Sequence, residues 1–597
     1  MRRLLVIGIV GLFAISCADA PAGGLDAAVG AGGVAMGDGC MAGQTRCVAG
    51  IEESCENNSF RSTGLPGMCL PDVCRDDDCE DRCTRAAADR AYIGCQYWPV
   101  DLDNAVEVSR RIPQNGVCDN PIEEYRENLE ICVGPDFNAG LCDPGQSCPD
   151  GFQCLVAPAC ILNAQGSPFA VVVSNPSETQ TATVTLSNAG GQEYQEEVPP
   201  GAVVKLYPNL VGLDPASIDH TSQTPSAYRL NSTEPIVAYQ FNPLNNVGVF
   251  SNDGSLLIPR HAYDTIYYAM TMPTLGRRAG QVPVHDYHGY VSIVASEPGT
   301  TEIKFIAGAD VRLGLGIPRL PAFMEHTFSL RQFDVLNLEA VSGEDLTGMR
   351  VESVDGETPF GVFVGHEAMV ISDQGFNGLC CADHLEEQLF PASTWGSAYA
   401  IARTEPRNQV SRGGEAPDQL RILAQKRDTR VNFDPEPANH NCGVLPAGGF
   451  CDAFIDADTR VWSEQPLLVG HMLLSTGRAP LQQNDPGDPV VGDPALAFAV
   501  PFEQFRLDYT FLVPSEYEAD YISVVSPQGG AVQLDGVEIG DQLTPFGGAF
   551  AGGRFPVEPG QHRLECRNGC GVLVYGYSQA VSYMFAGGLD LARITVP

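Results

Sequence analysis

Tyr290-Val291-Ser292-Ile293-Val294-Ala295-Ser296-Glu297-Pro298-Gly299-Thr300-Thr301-Glu302-Ile303-Lys304-Phe305 holds two β-type runs separated by a turn. Each run has the length of a strand, and Pro-Gly between them breaks regular structure. The same pair recurs downstream. Leu420 to Leu423 precedes Thr429 to Phe433, and Tyr521 to Val525 precedes Ala531 to Leu534. Ahead of each pair stands a proline, followed eight residues later by a tyrosine: Pro259 and Tyr267, Pro391 and Tyr399, Pro501 and Tyr509. Behind each pair comes an apolar closing run, at Gly361 to Val364, Leu467 to Gly470 and Gly571 to Tyr575. Pro235-Ile236-Val237-Ala238-Tyr239 closes an earlier unit in the same way.

Three features in one order define a repeat. The expected fold is all-β: serial antiparallel β-sandwich-like repeats over 165–258, 259–390, 391–500 and 501–597, preceded by a Cys-rich, disulfide-stapled segment at 37–164. Short runs such as Phe169 to Val173 and Thr181 to Leu186, bounded by Gly, Pro, Asn and Asp, agree with sandwiches. Ala86 to Ala91 is the best short helical stretch. Tyr267, Tyr399 and Tyr509 are expected in equivalent, buried positions with their hydroxyls near a partner.

The N-terminal residues have the layout of an export signal. Met1-Arg2-Arg3 is basic, Leu4 to Ile15 is apolar and too short to span a bilayer, and Ser16-Cys17 follows. Ala14-Ile15-Ser16-Cys17 is similar to a lipobox, with Ala14 where Leu is usual. The expectation is a signal at 1–16, a lipid on Cys17, a flexible tether over 17–36, and an address at the bacterial cell surface, on the outer membrane. The chain has 21 Cys, so removing Cys17 leaves an even number. Residues 40–160 carry 14 of them among Gly, Asp and Asn, a composition stapled by disulfides where no core is available. Cys142, Cys148, Cys154 and Cys160 invite a zinc reading, but export favours bridges and no His lies in the segment. The acidic run Asp76 to Asp81 lacks the spaced ligands of a calcium loop. A net charge of −39 excludes nucleic acid as a natural partner.

Several stretches resemble the IgGFc-binding protein N-terminal domain family, found in large bacterial surface proteins and in an animal mucus protein. They are Tyr92-Ile93-Gly94-Cys95-Gln96-Tyr97-Trp98, Phe169 to Pro176, Ala238 to Leu244, Ser251-Asn252-Asp253 and Cys381 to Pro391. The resemblance implies a binding scaffold. Its animal member binds antibody Fc, a ligand a bacterium does not meet.

No His-Glu-x-x-His, no Gly-x-Ser-x-Gly and no phosphate loop is present. No catalytic residue, metal or cofactor is expected. The leading reading is a non-catalytic adhesion or recognition lipoprotein whose sandwiches stack outward as spacers. Its partner is an extracellular protein or glycan, and it meets the membrane only through its lipid. Asn242, Asn245, Asn246 and Asp253 are the expected binding rim. The alternative is an exported hydrolase or metal-dependent enzyme centred on Asp383, His384 and Glu386. On a strand, His384 and Glu386 share one face while Asp383 and Glu387 share the other. His366 and His471 each follow a closing run and are assigned to packing. Cys442–Cys451 and Cys566–Cys570 are expected as local disulfides, the second around Asn568-Gly569, a hairpin signal. Cys380–Cys381 is expected as a vicinal bridge.

Overall fold

The computed structural model describes residues 82–113, 115–142, 148, 151–244, 251–275, 286–373, 382–407, 416–475, 492–578 and 581–594, and three strands near the N-terminus. Those three, Thr45–Val48, Ile51–Glu56 and Ser59–Ser62, form an antiparallel meander in a body of their own. Cys17, the signal and the tether lie outside the described residues.

Residues 81–597 form one compact body of four sandwiches. The second shows the shared wiring. A 3-10 turn after Pro259, Arg260–Ala262, leads into strand Ile266–Tyr268. One sheet runs Val335–Glu339, Gly289–Val294, Gly361–Met369, Asp383–Gln388, and Ser222–Thr224 from the preceding unit adds an edge strand. The other runs Ile266–Tyr268, Arg350–Ser353, Thr300–Ile306, Glu325–Arg331. The first sheet is buried along all its central strands, while Thr300–Ile306 alternates between buried and exposed. A strand buried on both faces reads as a continuous apolar run, and one facing water reads with period two.

The third sandwich repeats this order with Ala398–Ile401, Asp418–Ala424, Phe450–Ile455, Thr459–Trp462, Leu467–Met472 and Leu496–Phe498. In the fourth, the two strands that precede the last are fused into one, Gly560–Ser578. Its first half pairs with Arg506–Val513 in one sheet, and its second half with Ala519–Pro527 in the other. The first sandwich has the same fusion in Arg229–Phe241, whose halves pair with Ala182–Ser187 and Ala170–Ser174.

The opening strand of the first sandwich is Gly94–Tyr97, which pairs with Arg229–Phe241. A boundary at 164/165 therefore cuts through this unit. The short helix Arg82–Asp89 is tied to that strand by Cys83–Cys95. Between Gly94–Tyr97 and Ala170–Ser174 the chain inserts a four-stranded sheet: Val106–Val108, Glu124–Val133, Asn138–Leu141 and Gln153–Asn163. Val108, Ile131, Ala159 and Ile161 form its small buried cluster, and Cys118–Cys160, Cys132–Cys148 and Cys142–Cys154 staple it. The cysteines considered for zinc are thus spent in bridges.

Four tyrosines, not three, mark the repeat. Tyr97, Tyr267, Tyr399 and Tyr509 are all buried on their opening strands. The Tyr267 and Tyr509 hydroxyls accept the backbone N–H three residues earlier, from Asp264 at 3.2 Å and from Arg506 at 2.9 Å. Three hydroxyls also donate to the start of their closing strand, at the carbonyls of Ile236, Leu467 and Cys570. Gly94 and Gly396 share a further constraint: a Cβ on either would collide with the proline that opens the next sandwich, Pro259 or Pro501.

The sandwiches do not extend as a string of spacers. Their last strands, Gly254–Leu256, Asp383–Gln388, Leu496–Phe498 and Val581–Ala586, meet around one axis, each touching its two neighbours. The fourth sandwich returns to the first: Tyr92 N–H donates to Leu589 O at 3.2 Å, and the Leu512 N–H donates to the Tyr239 hydroxyl at 3.2 Å. The four units close a ring. Apolar contacts run continuously through the first, second and fourth, while the third keeps its own core around Tyr399, Leu420, Ile422, Val461 and Val469.

Candidate functional site

Asp253 sits on the ring axis. Its carboxylate accepts backbone N–H groups from Gly254 at 2.9 Å and from Glu386, Leu496 and Met584 at 3.3 Å each. These four donors come one from each sandwich. They are equivalent residues, each two before the partner of Tyr239, Phe363, Gly470 or Leu573 across the closing strand. Burial pushes the Asp253 carboxyl well above the usual range, and the four donors oppose that push. Four donors fill the four lone-pair sites of a carboxylate.

This takes Asn242 and Asp253 out of the expected binding rim. Asn242 and Asp253 are both fully buried. The Asn242 side-chain amide donates to Leu102 O at 2.5 Å, and the Asn242 backbone carbonyl accepts from the Asn104 side chain at 2.8 Å. The strand before them ends inside the ring and not at its surface, so its Asn residues join sandwiches. Asn245 and Asn246 lie outside the described residues.

The Asp383, His384 and Glu386 constellation is also interior. All three are fully buried on Asp383–Gln388. His384 and Glu386 share a face, with Nε2 and Oε2 3.7 Å apart. Burial lowers His384 to about 3 and raises Glu386, so it disfavours the charged form of both groups. Asp383 is engaged with the backbone, accepting from Asn252 at 2.7 Å, His384 at 2.9 Å and Ser582 at 3.2 Å. Asp383 thus ties strand ends of the first, second and fourth sandwiches together. His366 bonds Pro273 O at 3.1 Å and His471 bonds Asp418 at 2.9 Å, both buried. They are two positions apart in the repeat, because Phe360 and Leu467 are the equivalent starts of their strands.

Two expected disulfides are formed. Cys442–Cys451 has Cα atoms 5.0 Å apart, and Cys566–Cys570 has them 5.9 Å apart. The latter lies where Gly560–Ser578 leaves one sheet for the other, on either side of Gly569 at φ +77°. Cys380 and Cys381 lie outside the described residues.

An open concavity among the described residues lies between the third and fourth sandwiches. A cleft of about 540 Å³ is lined by Arg403, Pro435, Asp456, Asp458, Phe546 and Arg554, among others. Its residues come from the ends of strands: Arg403 follows Ala398–Ile401, Asp456 and Asp458 link Phe450–Ile455 to Thr459–Trp462, and Phe546 ends Thr544–Phe546. Arg554 pairs with Asp458, and the Arg403 N–H donates to the same carboxylate at 2.9 Å. Phe546 packs towards Phe550, with ring centroids 6.3 Å apart. The lining combines proline, an aromatic ring and the Arg554–Asp458 ion pair. No sequence signal pointed to it, since its walls come from segments up to 150 residues apart. Tyr97 did have a signal: Gly94-x-x-Tyr97 matches Gly396-x-x-Tyr399.

These features define an all-β, disulfide-stapled repeat scaffold. A family model described as IgGFc binding protein matches residues 253–576, more than half of the 597, and the chain belongs to that family. The match opens at the axis residue Asp253 and runs through the second and third sandwiches into the fourth. The resembling stretches at 92–98, 169–176 and 238–244 fall outside it, although they build the first sandwich. No curated protein and no solved structure matches the chain. Family membership points to a binding role and a protein partner in general terms.

Proposed function

We propose that the chain is a non-catalytic recognition lipoprotein at the bacterial cell surface, tethered through Cys17, that grips an extracellular protein through the cleft between its third and fourth sandwiches. The observation that carries this reading is the contrast in access. The groups nominated for chemistry are sealed at the ring axis, while the open concavity holds proline, Phe546 and paired charges. Binding faces draw on aromatic and Arg side chains at a desolvated centre. A glycan is the second class of partner. The ring presents its loop ends outward and stiffens the cleft, since both walls belong to one packed body.

The test is a pull-down from cell-envelope proteins and polysaccharides, comparing wild type with Phe546→Ala. Capture that falls at least about tenfold in the variant supports the cleft. Capture unchanged in the variant moves the binding face elsewhere. Turnover of any envelope substrate by the wild type would overturn the non-catalytic reading.

A further inference from the structure

We infer that the protein forms a two-fold dimer by pairing strand Glu325–Arg331 with the same strand of a second copy. Among the described residues this strand pairs only with Thr300–Ile306, and it ends the sheet that Ile266–Tyr268 begins. A free edge presents a row of open backbone donors and acceptors. Proteins blunt such edges by shortness, charge, proline or bulges. The other three sandwiches do so. The equivalent edge of the fourth, Val537–Glu538, has two residues, and that of the third, Asn432–Asp434, has three. That of the first, Glu193–Val198, carries Glu193, Glu196 and Glu197. Glu325–Arg331 is seven residues long, runs in unbroken register with its neighbour, and holds one acid, no lysine and no proline.

The register fixes where each backbone group points. Glu302 O accepts the Val354 N–H at 2.8 Å, so the even-numbered residues of Thr300–Ile306 face Arg350–Ser353 and the odd-numbered ones face Glu325–Arg331. Their partners there are Leu330, Phe328 and His326. The backbone groups of Glu325, Thr327, Ser329 and Arg331 therefore point outward. Two of these groups are covered: the Gln223 amide donates to Ser329 O at 3.0 Å, and the Arg331 N–H donates to Asp334 at 2.9 Å. Those of Glu325 and Thr327, and the Ser329 N–H, meet no partner among the described residues.

The open groups are symmetric about Thr327. A two-fold axis there sets Thr327 against Thr327 of the second copy, and Glu325 against Ser329 of the second copy. Three pairs of main-chain hydrogen bonds result, with the Ser329 carbonyl using its second lone pair. The same register sets His326 against Phe328 of the second copy, both half-buried in the single chain, and opposes no like charges. Cross-strand aromatic pairs stabilise a sheet, and like charges oppose it. An apolar lip lies beside the strand. Phe323 is 80 % exposed, Met324 55 % and Ile306 45 %. They are neighbours, since the Phe323 N–H donates to Ala307 O at 2.8 Å and Ile306 is the cross-strand partner of Glu325. Phe323 is held at φ +60°, a conformation that costs a bulky residue free energy. In the dimer Met324 meets Leu330 of the second copy, and Phe323 lies beside Arg331 of the second copy, a cation–π pairing. One patch meeting itself closes the assembly at two copies.

Each chain carries a net charge of −39, so two copies repel at long range. Salt screens that repulsion, with a Debye length of about 8 Å at 0.15 M, and leaves main-chain bonds intact. The dimer should therefore tighten as salt rises. The full chain, with Cys17→Ser so that no lipid drives association, is followed by sedimentation equilibrium from about 1 to 200 µM in about 0.15 and 0.5 M NaCl. A monomer–dimer equilibrium with a Kd on the order of 10–100 µM is expected, tighter at the higher salt. Thr327→Lys places a charge on an exposed edge position and should weaken it at least about tenfold with little change in melting. Amide exchange needs no further variant: the Thr327 and Ser329 amides should slow at least about twofold between the lowest and highest concentrations, while Glu193–Val198 stays unchanged. A chain monomeric at 200 µM in both salts overturns the inference. So does a dimer that Thr327→Lys leaves intact, which would use another surface. Edge amides that slow only when cell-envelope proteins are added would give the edge to a different protein and overturn it too.

Discussion

Two groups of buried carboxylates sit in the ring, and the protein treats them differently. At the axis, Asp253 is met by four backbone N–H groups, one from each sandwich. In the seam between the first and second sandwiches, Asp103, Glu339 and Glu367 face one another, with Arg312 beside them. Asp253 stands just before Gly254–Leu256 and Asp103 on a connecting segment, while Glu339 and Glu367 lie on fully buried strands. Symmetry explains the difference. Four equivalent closing strands bring four equivalent donors to one point, and one acid of matching capacity satisfies them. The seam joins unlike segments, a connecting segment and a sheet, so its acids meet unlike partners: the His220 N–H at Asp103, the Arg312 guanidinium at Glu339 and the His288 N–H at Glu367.

The sharpest way to break the comparison is Asp253→Asn. The amide would point N–H at N–H on one side and leave donors of at least one sandwich buried and unpaired. A loss of about 3–5 kcal/mol is expected, read by urea unfolding. A change below about 1 kcal/mol would mean the ring does not depend on its axis.

Asp101 sharpens the contrast from the other side, because it is a buried acid with no donor on Oδ1. Burial raises it to about 8 from 3.8. A raised acid favours the fold fully below its unfolded value, and the benefit is lost as pH rises through the folded value. Asp101→Asn should therefore raise the melting temperature at pH 9 and leave it nearly unchanged at pH 4, with a gain of about 2–4 kcal/mol at the alkaline end. Equal effects at both pH values would show that Asp101 is already ionised in the folded protein.

The repeat tyrosines predict a smaller and more uniform effect. Tyr97→Phe, Tyr399→Phe and Tyr509→Phe each remove a hydroxyl that links an opening strand to a closing one. Each should cost about 1 kcal/mol, and the three should agree within a factor of two. A Tyr97 variant without effect would separate the first sandwich from the others. The smallest effect is expected at His384. His384→Ala should leave partner capture within about threefold, because the side chain is sealed from the cleft. A loss of capture in a variant that melts normally would return His384 to the functional site.

The sequence by itself determined the strands, the repeat and the turns. Alternation and apolar runs depend only on which faces of a strand meet water, and short local signals such as Cys566-Arg567-Asn568-Gly569-Cys570 close within a few residues. The face shared by His384 and Glu386 was legible for the same reason, since side chains alternate along any strand. Tertiary structure alone decided what those faces meet. Asn242 and Asp253 look like a polar loop in sequence, and only ring closure buries them. The split first sandwich stayed hidden because some seventy residues, 98–169, separate Gly94–Tyr97 from Ala170–Ser174. The cleft and the acidic seam were invisible too, for their residues are far apart in the chain and join only when whole sandwiches pack. Local patterns record a residue's own exposure to water. They do not record which distant surface supplies the cover, and in this protein that choice sets which polar groups are buried and which stay open.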